Sequence, residues 1–318
     1  MPLLRAASTI LFGLTVLGIE AVSGQTYPSK PVRIVTAGVG GGNDVISRVM
    51  ASGLSGPLGQ QVLVDNRPTR VLPDVVAKSP PDGYTLMLFS GGLWLLPFMA
   101  NVNYDPVKDF APITLVARSP LVVVVHPSLP VKSIKELIAL AKARPGQLNF
   151  STGGSGSSSH LAPELFKHMT GVNMVRIPYK SGSAELNDLL GGQVQLSFGT
   201  AGTVAPHVKS GRLRALAVTS PRPSALFPGF PTVAASGLSG YEFGSIYGMF
   251  TPAKTPEAVI RRVHQESARF LNTTDAKEKL LSTGVEAVGS SPEEFAAVIK
   301  SEMARMGKVI KDAGIRDE

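Results

Sequence analysis

The 318-residue sequence contains no cysteine. This absence excludes disulfide bonds, zinc or iron–sulfur centres held by thiolates, and a thiol nucleophile. Aromatic residues make up only 6% and charged residues 17%, and beyond residue 24 no apolar run is long enough to cross a bilayer. Because 43% of the residues are hydrophobic, global disorder is also excluded, and the length fits two domains of ordinary size.

Lysine and arginine outnumber aspartate and glutamate by 31 to 23, which gives a formal net charge of +8. The basic residues are dispersed, and the single tryptophan, Trp94, lies in an apolar run. No nucleic-acid-binding motif occurs in the sequence, so we expect no nucleic-acid partner. The positive charge instead favours the approach of small anionic solutes.

Residues 1–24 have the pattern of a secretory signal peptide. Arg5 supplies a positive start, an apolar stretch of thirteen residues follows from Ala6 to Gly18, and Ala21, Ser23 and Gly24 offer small residues for cleavage. An N-terminal membrane anchor is the alternative, but the apolar stretch is short for a membrane span. We therefore expect export to the periplasm after cleavage.

Short apolar runs alternate with amphipathic stretches between residues 32 and 250, a pattern typical of parallel sheets covered by helices. A single sheet would need about ten strands, which is more than an open twisted sheet usually holds. The prediction is therefore an α/β protein of two doubly wound lobes. The segment 113–126 is predicted as two strands separated at Ser119-Pro120.

The lobes are expected to be connected by two crossover strands, with a hinge near 113–126 and 241–251. Lobe 1 would comprise residues 27–118 plus 252–318, and lobe 2 residues 119–245. A cleft would lie between the two lobes.

A glycine-rich loop at residues 38–44 connects the first predicted strand to the first predicted helix. Backbone N–H groups at such a helix N-terminus can bind an anion. The loop matches neither the dinucleotide fingerprint nor the P-loop, and a tight turn capped by Asn43 is the alternative. Since its carboxylate would repel an anion, Asp44 is expected to cap the helix or bind an amino group. The candidate ligand-binding residues of this loop are Gly40, Gly41, Gly42, Asn43 and Asp44.

A second loop, residues 151–160, has the same strand–loop–helix context and is rich in serine and glycine. A flexible linker is the alternative, but strong elements flank the loop closely. An exported serine hydrolase using Ser157 or Ser159 with His160 is a further alternative. The nucleophile elbow is incomplete for that reaction, because Ser157 stands where the last glycine belongs. The candidate ligand-binding residues of this loop are Thr152, Gly154, Ser155, Gly156, Ser157, Ser158, Ser159 and His160.

Three further polar loops follow predicted strands, at residues 90–92, 179–183 and 199–203. In open α/β sheets, ligands bind at the carboxyl ends of strands, so the five loops are expected to converge on one pocket. The candidate residues here are Ser90, Gly91, Tyr179, Ser181, Gly199 and Thr200. Neither a metal nor a cofactor is expected, although His160, Glu164 and His168 share one helix face.

The sequence resembles the periplasmic solute receptors of the tripartite tricarboxylate transporter system, the Bug family. The segments that carry the resemblance are residues 27–33 (YPSKPVR), 40–44 (GGGND), 65–68 (DNRP), 80–85 (PPDGYT), 104–110 (YDPVKDF), 158–161 (SSHL), 178–180 (PYK), 189–193 (LLGGQ), 213–219 (LRALAVT), 230–233 (FPTV) and 291–295 (SPEEF). They keep the order of the family and cover nearly all of the chain after residue 26.

This resemblance implies a Venus-flytrap receptor of the type II periplasmic-binding kind and no enzymatic activity. Such a receptor, expected as a monomer, captures a small carboxylate by lobe closure and delivers it to a two-subunit membrane permease. The two glycine-rich loops would hold the carboxylate through backbone amides, hydroxyls and waters. A ligand-sensing receptor for a signalling membrane protein is the alternative. The sequence departs from the family at residues 36–39, 69–73 and 199, which leaves the identity of the ligand open.

Overall fold

The computed structural model describes residues 27–40, 42–154, 156–179 and 182–316. The predicted signal peptide, residues 1–24, lies outside the described residues, as do the candidate residues Gly41, Ser155 and Ser181. Within the described part, no helix is both long and apolar enough to cross a membrane.

The described chain alternates strands and helices as the sequence pattern predicts. Its strands are β1 Val32–Thr36, β2 Val62–Asn66, β3 Thr85–Ser90, β4 Phe110–Val125, β5 Asn149–Thr152, β6 Val175–Pro178, β7 Leu196–Thr200, β8 Arg214–Val218, β9 Gly244–Pro252 and β10 Glu286–Ala287. Its helices are α1 Gly42–Leu58, α2 Leu72–Ala77, α3 Gly92–Leu95, α4 Ile134–Ala143, α5 Ser158–Thr170, α6 Gly182–Leu190, α7 Ala201–Lys209, α8 Glu257–Leu271, α9 Thr274–Ser282 and α10 Pro292–Asp312, with a short 3₁₀ turn at Leu96–Phe98.

The strands form two sheet regions that share the long strand β4. In the first region β2, β1 and β3 are parallel neighbours, and the antiparallel strand β9 lies between β3 and β4. In the second region β4 pairs with β7 and β8, and β7 continues through parallel pairing to β5 and then β6. Each parallel step needs a crossover helix, which the alternating sequence supplies.

The prediction of two strands in the segment 113–126 is wrong, because β4 runs without interruption through Ser119-Pro120. The strand changes partners at this point. It pairs with β9 up to Pro120, which lies opposite Gly244, and with β7 and β8 from Leu121 onwards. A proline removes only its own N–H from the ladder, so it is tolerated where one set of partners ends and another begins.

Alternate residues of β4 face two different apolar clusters. Val122 and Val124 pack with residues of α7 and β8, whereas Val123 and Val125 join a larger cluster that contains α5 and α10. A strand buried on both faces is apolar at successive positions, which explains the unbroken run from Leu121 to Val125.

The C-terminal helix α10 packs against both sheet regions. Its first turn is closed by a capping box between Ser291 and Glu294, and Phe295 then contacts Trp94 edge to face. At the other end, Asp312 lies 3.7 Å from the Nδ1 of His168 on α5. A helix of this length spans about 30 Å, which is enough to contact elements of both regions.

Candidate ligand site between two helix N-termini

The first glycine-rich loop is held from within by Asp44. The Asp44 carboxylate accepts hydrogen bonds from the Gly40 N–H at 2.9 Å and from the Asn66 side-chain amide at 2.9 Å, and it pairs with Arg48 at 2.9 Å. Burial alone would raise the pKa of Asp44, but these three partners lower it below its ordinary value. Asp44 therefore caps its own loop and does not present an unpaired negative charge to a ligand.

The N-terminus of α1 lies against a tyrosine of β9. A β-carbon placed on Gly42 would lie 2.8 Å from the hydroxyl oxygen of Tyr247, so only glycine permits this approach without moving the ring. Next to it, the Asn43 Oδ1 is buried and has no hydrogen-bond partner among the described residues. The first N–H groups of a helix also lack partners within the helix. The N-terminus of α1 therefore places backbone N–H donors close to one side-chain acceptor, the Asn43 Oδ1.

The second loop is held by its own side chains in a similar way. The Ser159 hydroxyl accepts from the Gly153 N–H at 2.9 Å, and the His160 Nδ1 accepts from the Gly156 N–H at 3.1 Å. His160 is only 4% exposed, and this burial, with smaller effects from Arg176 and Lys167, lowers its pKa to about 4. The imidazole is therefore neutral at pH 7, as its acceptor role requires.

Two residues of β9 connect the second loop to the first. The Ser158 hydroxyl lies 2.9 Å from the Ser245 hydroxyl, and Ser245 and Tyr247 point to the same face of β9 because they are two residues apart. Burial raises the pKa of Tyr247, and a hydrogen bond with Ser245 opposes the rise. In the sheet Tyr247 is also the partner of Ser90. The N-termini of α1 and α5 and the end of β3 therefore meet around Tyr247.

The sequence prediction missed Ser245 and Tyr247. The signal that could have found them is the polar–apolar–polar pattern Ser245-Ile246-Tyr247 in a strand already predicted to cross between lobes. A contact of the second loop with the chain after α3 was also missed. A β-carbon on Gly156 would lie 2.8 Å from the sulfur of Met99, so the second loop packs closely on the chain that follows α3.

The other candidate residues make contacts of their own. The Tyr179 hydroxyl donates to the Asp188 carboxylate at 2.8 Å, and burial and that carboxylate raise the pKa of Tyr179 to about 12. The Thr200 hydroxyl lies 2.8 Å from the Thr203 hydroxyl. Gly199 packs against Val204, since a β-carbon on this glycine would lie 2.4 Å from that side chain. Gly91 lies beside Trp94, where the corresponding distance is 3.5 Å. In the second loop, Thr152 accepts from Arg176 Nε at 3.0 Å, whereas Gly154 is exposed.

The described residues contain no group of three or more histidine, aspartate or glutamate side chains placed to hold a metal ion. Among the described residues, no hydroxyl of a candidate serine is hydrogen-bonded to the His160 imidazole, whose Nδ1 accepts from the Gly156 N–H. The Ser157 hydroxyl lies instead 3.2 Å from the Ser159 hydroxyl. The geometry suits binding of a small anion, and the described part of the two loops contains no serine–histidine side-chain pair of the kind that a hydrolase needs.

Two α/β lobes that share crossing strands, with helix N-termini meeting at the crossing, have the architecture of a solute-binding receptor. The chain belongs to the tripartite tricarboxylate transporter family receptors (TctC), whose sequence model matches residues 46–315. Both the predicted family and the two-lobed α/β fold are thereby confirmed. This is a family of receptors and not of enzymes, so the prediction of no enzymatic activity is also confirmed.

Three relatives illustrate the match. The BugT protein of Bordetella pertussis is 35% identical over 324 residues, which cover 99% of either chain. A solved structure of an R. palustris protein with adipate is 35% identical and covers 91% of this chain and 99% of its own, with a TM-score of 0.74. A TctC solute-binding protein from Polaromonas, solved without ligand, is 26% identical and covers 90% of this chain and 100% of its own, with a TM-score of 0.83.

Proposed function

We propose that this chain is an extracytoplasmic receptor that captures a small carboxylate between its lobes and delivers it to a two-subunit membrane permease. The observation that carries the proposal is the meeting of the α1 and α5 N-termini at Tyr247 and Ser245. Each N-terminus carries about half a positive charge, so two of them at one point favour a carboxylate. Because the R. palustris relative was solved with adipate, a dicarboxylate is the first ligand to test.

The proposed ligand contacts come from both glycine-rich loops. The N–H groups at the start of α1 and α5 would receive a carboxylate directly or through water. Asn43 Oδ1, a buried acceptor without a partner among the described residues, would take a hydrogen bond from such a water or from a hydroxyl of the ligand. Tyr247 stays protonated at neutral pH and can donate a hydrogen bond. Ser90 and other loop residues predicted from the sequence would surround the rest of the ligand, whereas Asp44 and His160 support the two loops from within.

The proposed lobes are residues 27–118 plus 252–318 and residues 119–245. The change of partners along β4 at Pro120, and the start of β9 at Gly244, support a boundary at this point. Bending there would bring the two loops together over the ligand. The start of the chain fits a signal peptide at residues 1–24, so we infer a periplasmic receptor, which we expect to be monomeric.

The proposal is tested by calorimetry and thermal unfolding of the purified protein with adipate, other di- and tricarboxylates, aromatic acids and amino acids. Adipamide, the neutral diamide of the same length, is the matched control. At about a hundredfold excess over Kd, a true ligand should raise the unfolding temperature by about 5 °C, while adipamide should not. A flat response across all acids would contradict carboxylate binding.

Lobe closure and the permease need separate measurements. Small-angle scattering should show a smaller radius of gyration with the ligand than without it. Affinity capture from membranes should retain a two-subunit permease when the ligand is present. Capture of a signalling protein instead would support the sensory alternative, and an unchanged radius of gyration would contradict closure.

A further inference from the structure

A cavity of about 520 Å³ lies on the face of the crossing strands opposite the candidate ligand site. Gly244 and Ile246 of β9 line it, whereas Ser245 and Tyr247, which alternate with them, face the candidate ligand site. We call it the back cavity. On β4 it is lined by Arg118, Ser119 and Pro120, of which Arg118 and Pro120 are the sheet partners of Ile246 and Gly244.

The remaining walls of the back cavity come from distant parts of the chain. The loop at residues 220–223 follows β8, and Val288 follows β10. Helix α10 contributes Val298, Glu302 and Arg305. In the lobe division proposed above, the loop belongs to lobe 2 and the other two walls to lobe 1. Bending at the crossing strands must therefore change the shape of the cavity.

Arg118 is a cation of this cavity whose side chain makes no hydrogen bond or ion pair with any described residue, and its Nε is buried. The three glutamates of the wall are already engaged: Glu286 accepts from the Ser224 hydroxyl and the Ala225 N–H, and Glu242 and Glu302 pair with Arg305. Arg118 contributes to the electrostatic field at Glu302 without contacting it. The buried Nε of this half-buried guanidinium has no acceptor among the described residues, and the three glutamates of the wall are engaged elsewhere, which points to an anionic acceptor supplied from outside the chain.

The rest of the lining is largely apolar and includes Phe243, Ile246, Val288 and Val298. Small-molecule sites commonly measure about 300 to 1,000 Å³ and combine apolar walls with a few polar groups. We propose that the back cavity binds an amphipathic organic anion, with its carboxylate on Arg118 and its apolar body against Phe243, Ile246 and Val298, and that this binding is coupled to lobe closure. The coupling of anion binding to lobe closure rests on the proposed function, whereas anion binding in the back cavity does not.

The binding is tested with 4-fluorobenzoate, followed by ¹⁹F NMR on the purified protein. Wild type should bind this probe, and Arg118→Gln should weaken binding about tenfold or more, because a charge-assisted hydrogen bond is lost. Arg118→Lys should retain most of the affinity, and Arg144→Gln, at an exposed arginine remote from the back cavity, should be unchanged. Val298→Phe, which fills the cavity from α10, should also reduce binding and does not depend on the folding of the Arg118 variants.

No binding up to about 10 mM, or equal binding by wild type, Arg118→Gln and Val298→Phe, would overturn the site. These measurements contain no adipate, so failure of the proposed function leaves them readable. The coupling is tested by titrating adipate with and without saturating 4-fluorobenzoate. A change of about twofold or more in the adipate Kd is expected, and it must disappear in Arg118→Gln. Simple displacement of the probe by adipate would place both in one site and overturn the proposal.

Discussion

The hydroxyl of Ser158 lies 2.9 Å from the hydroxyl of Ser245. The first residue belongs to the N-terminus of α5, and the second belongs to β9, one of the strands at the crossing between the lobes. This pair therefore connects the second glycine-rich loop, for which we propose a role in ligand binding, directly to the strand at which we expect the lobes to bend. Tyr247, two residues further along β9, makes the corresponding approach to Gly42 at the N-terminus of α1.

Replacing Tyr247 with phenylalanine tests whether its hydroxyl contacts the ligand. We expect Tyr247→Phe to weaken adipate binding about fivefold to tenfold, because one hydrogen bond to the carboxylate or its water is lost. Calorimetry on both proteins measures the difference. Tyr84→Phe is the matched control, because the Tyr84 hydroxyl is bonded to Ser29 far from the loops, and it should leave the adipate Kd unchanged. Equal affinities for wild type and Tyr247→Phe would remove Tyr247 from the site.

Adding a single methyl group to Gly42 tests the close approach of α1 to β9. The new carbon would lie 2.8 Å from the Tyr247 hydroxyl oxygen, so the ring must move away from the N-terminus. We expect Gly42→Ala to reduce adipate affinity by about tenfold while the protein stays folded.

Gly56→Ala, on the same helix, is the control for this substitution. A β-carbon on Gly56 meets nothing within 4 Å, so the change should stabilise α1 by about 1 kcal/mol and leave binding unchanged. Urea unfolding and calorimetry on both variants separate the two effects. If Gly42→Ala bound adipate as wild type does, the close approach would have no part in binding.

Much of the fold and both glycine-rich loops could be predicted from the sequence, because these features are local. The run Val32–Thr36, rich in β-branched residues, is followed by glycines and an amphipathic stretch, and this pattern specifies a strand, a turn and a helix without reference to the rest of the chain. Pro120 misled the prediction because its tolerance depends on which strands pair on either side of it. Ser245 and Tyr247 were missed for the same reason. Their importance follows from contacts with Ser158 and Gly42, which lie 87 and 205 positions earlier in the chain respectively.

Asp44→Asn tests whether the first loop depends on a charged cap. The variant loses the charge that pairs with Arg48 and keeps the size of the side chain. We expect it to unfold at lower urea concentration at pH 7, with a loss of about 1–3 kcal/mol in the free energy of unfolding.

The pH dependence of this loss has a definite sign. The pKa of Asp44 is lower in the folded protein than its ordinary value of 3.8, so the charged carboxylate stabilises the protein above pH 3.8. The stabilisation is lost as the pH falls through the lowered value. The difference between wild type and Asp44→Asn should therefore shrink below pH 3.8, as urea unfolding at pH 7 and about pH 3 can measure. A difference that is constant with pH would show that the charge of Asp44 is unimportant.

The titration of His160, like that of Asp44, should destabilise the protein as the pH falls, but it should do so at higher pH. Burial lowers its pKa from the ordinary 6.5 to about 4 in the folded protein, so the unfolded chain takes up a proton first as the pH falls. Stability should therefore decrease from pH 6.5 to about pH 4, and the shift corresponds to roughly 3 kcal/mol. Below that range the protonated imidazole can no longer accept the Gly156 N–H, and the second loop loses its support.

His160→Gln is the variant that isolates this effect, because the glutamine oxygen can accept the same N–H and does not titrate. Urea unfolding at pH 7, 5.5 and 4.5 should show that wild type loses more stability on acidification than the variant does. Adipate affinity at pH 7 should be similar in the two proteins, since the imidazole acts on the loop from within. Parallel loss of stability in both proteins would mean that groups other than His160 cause the acid sensitivity.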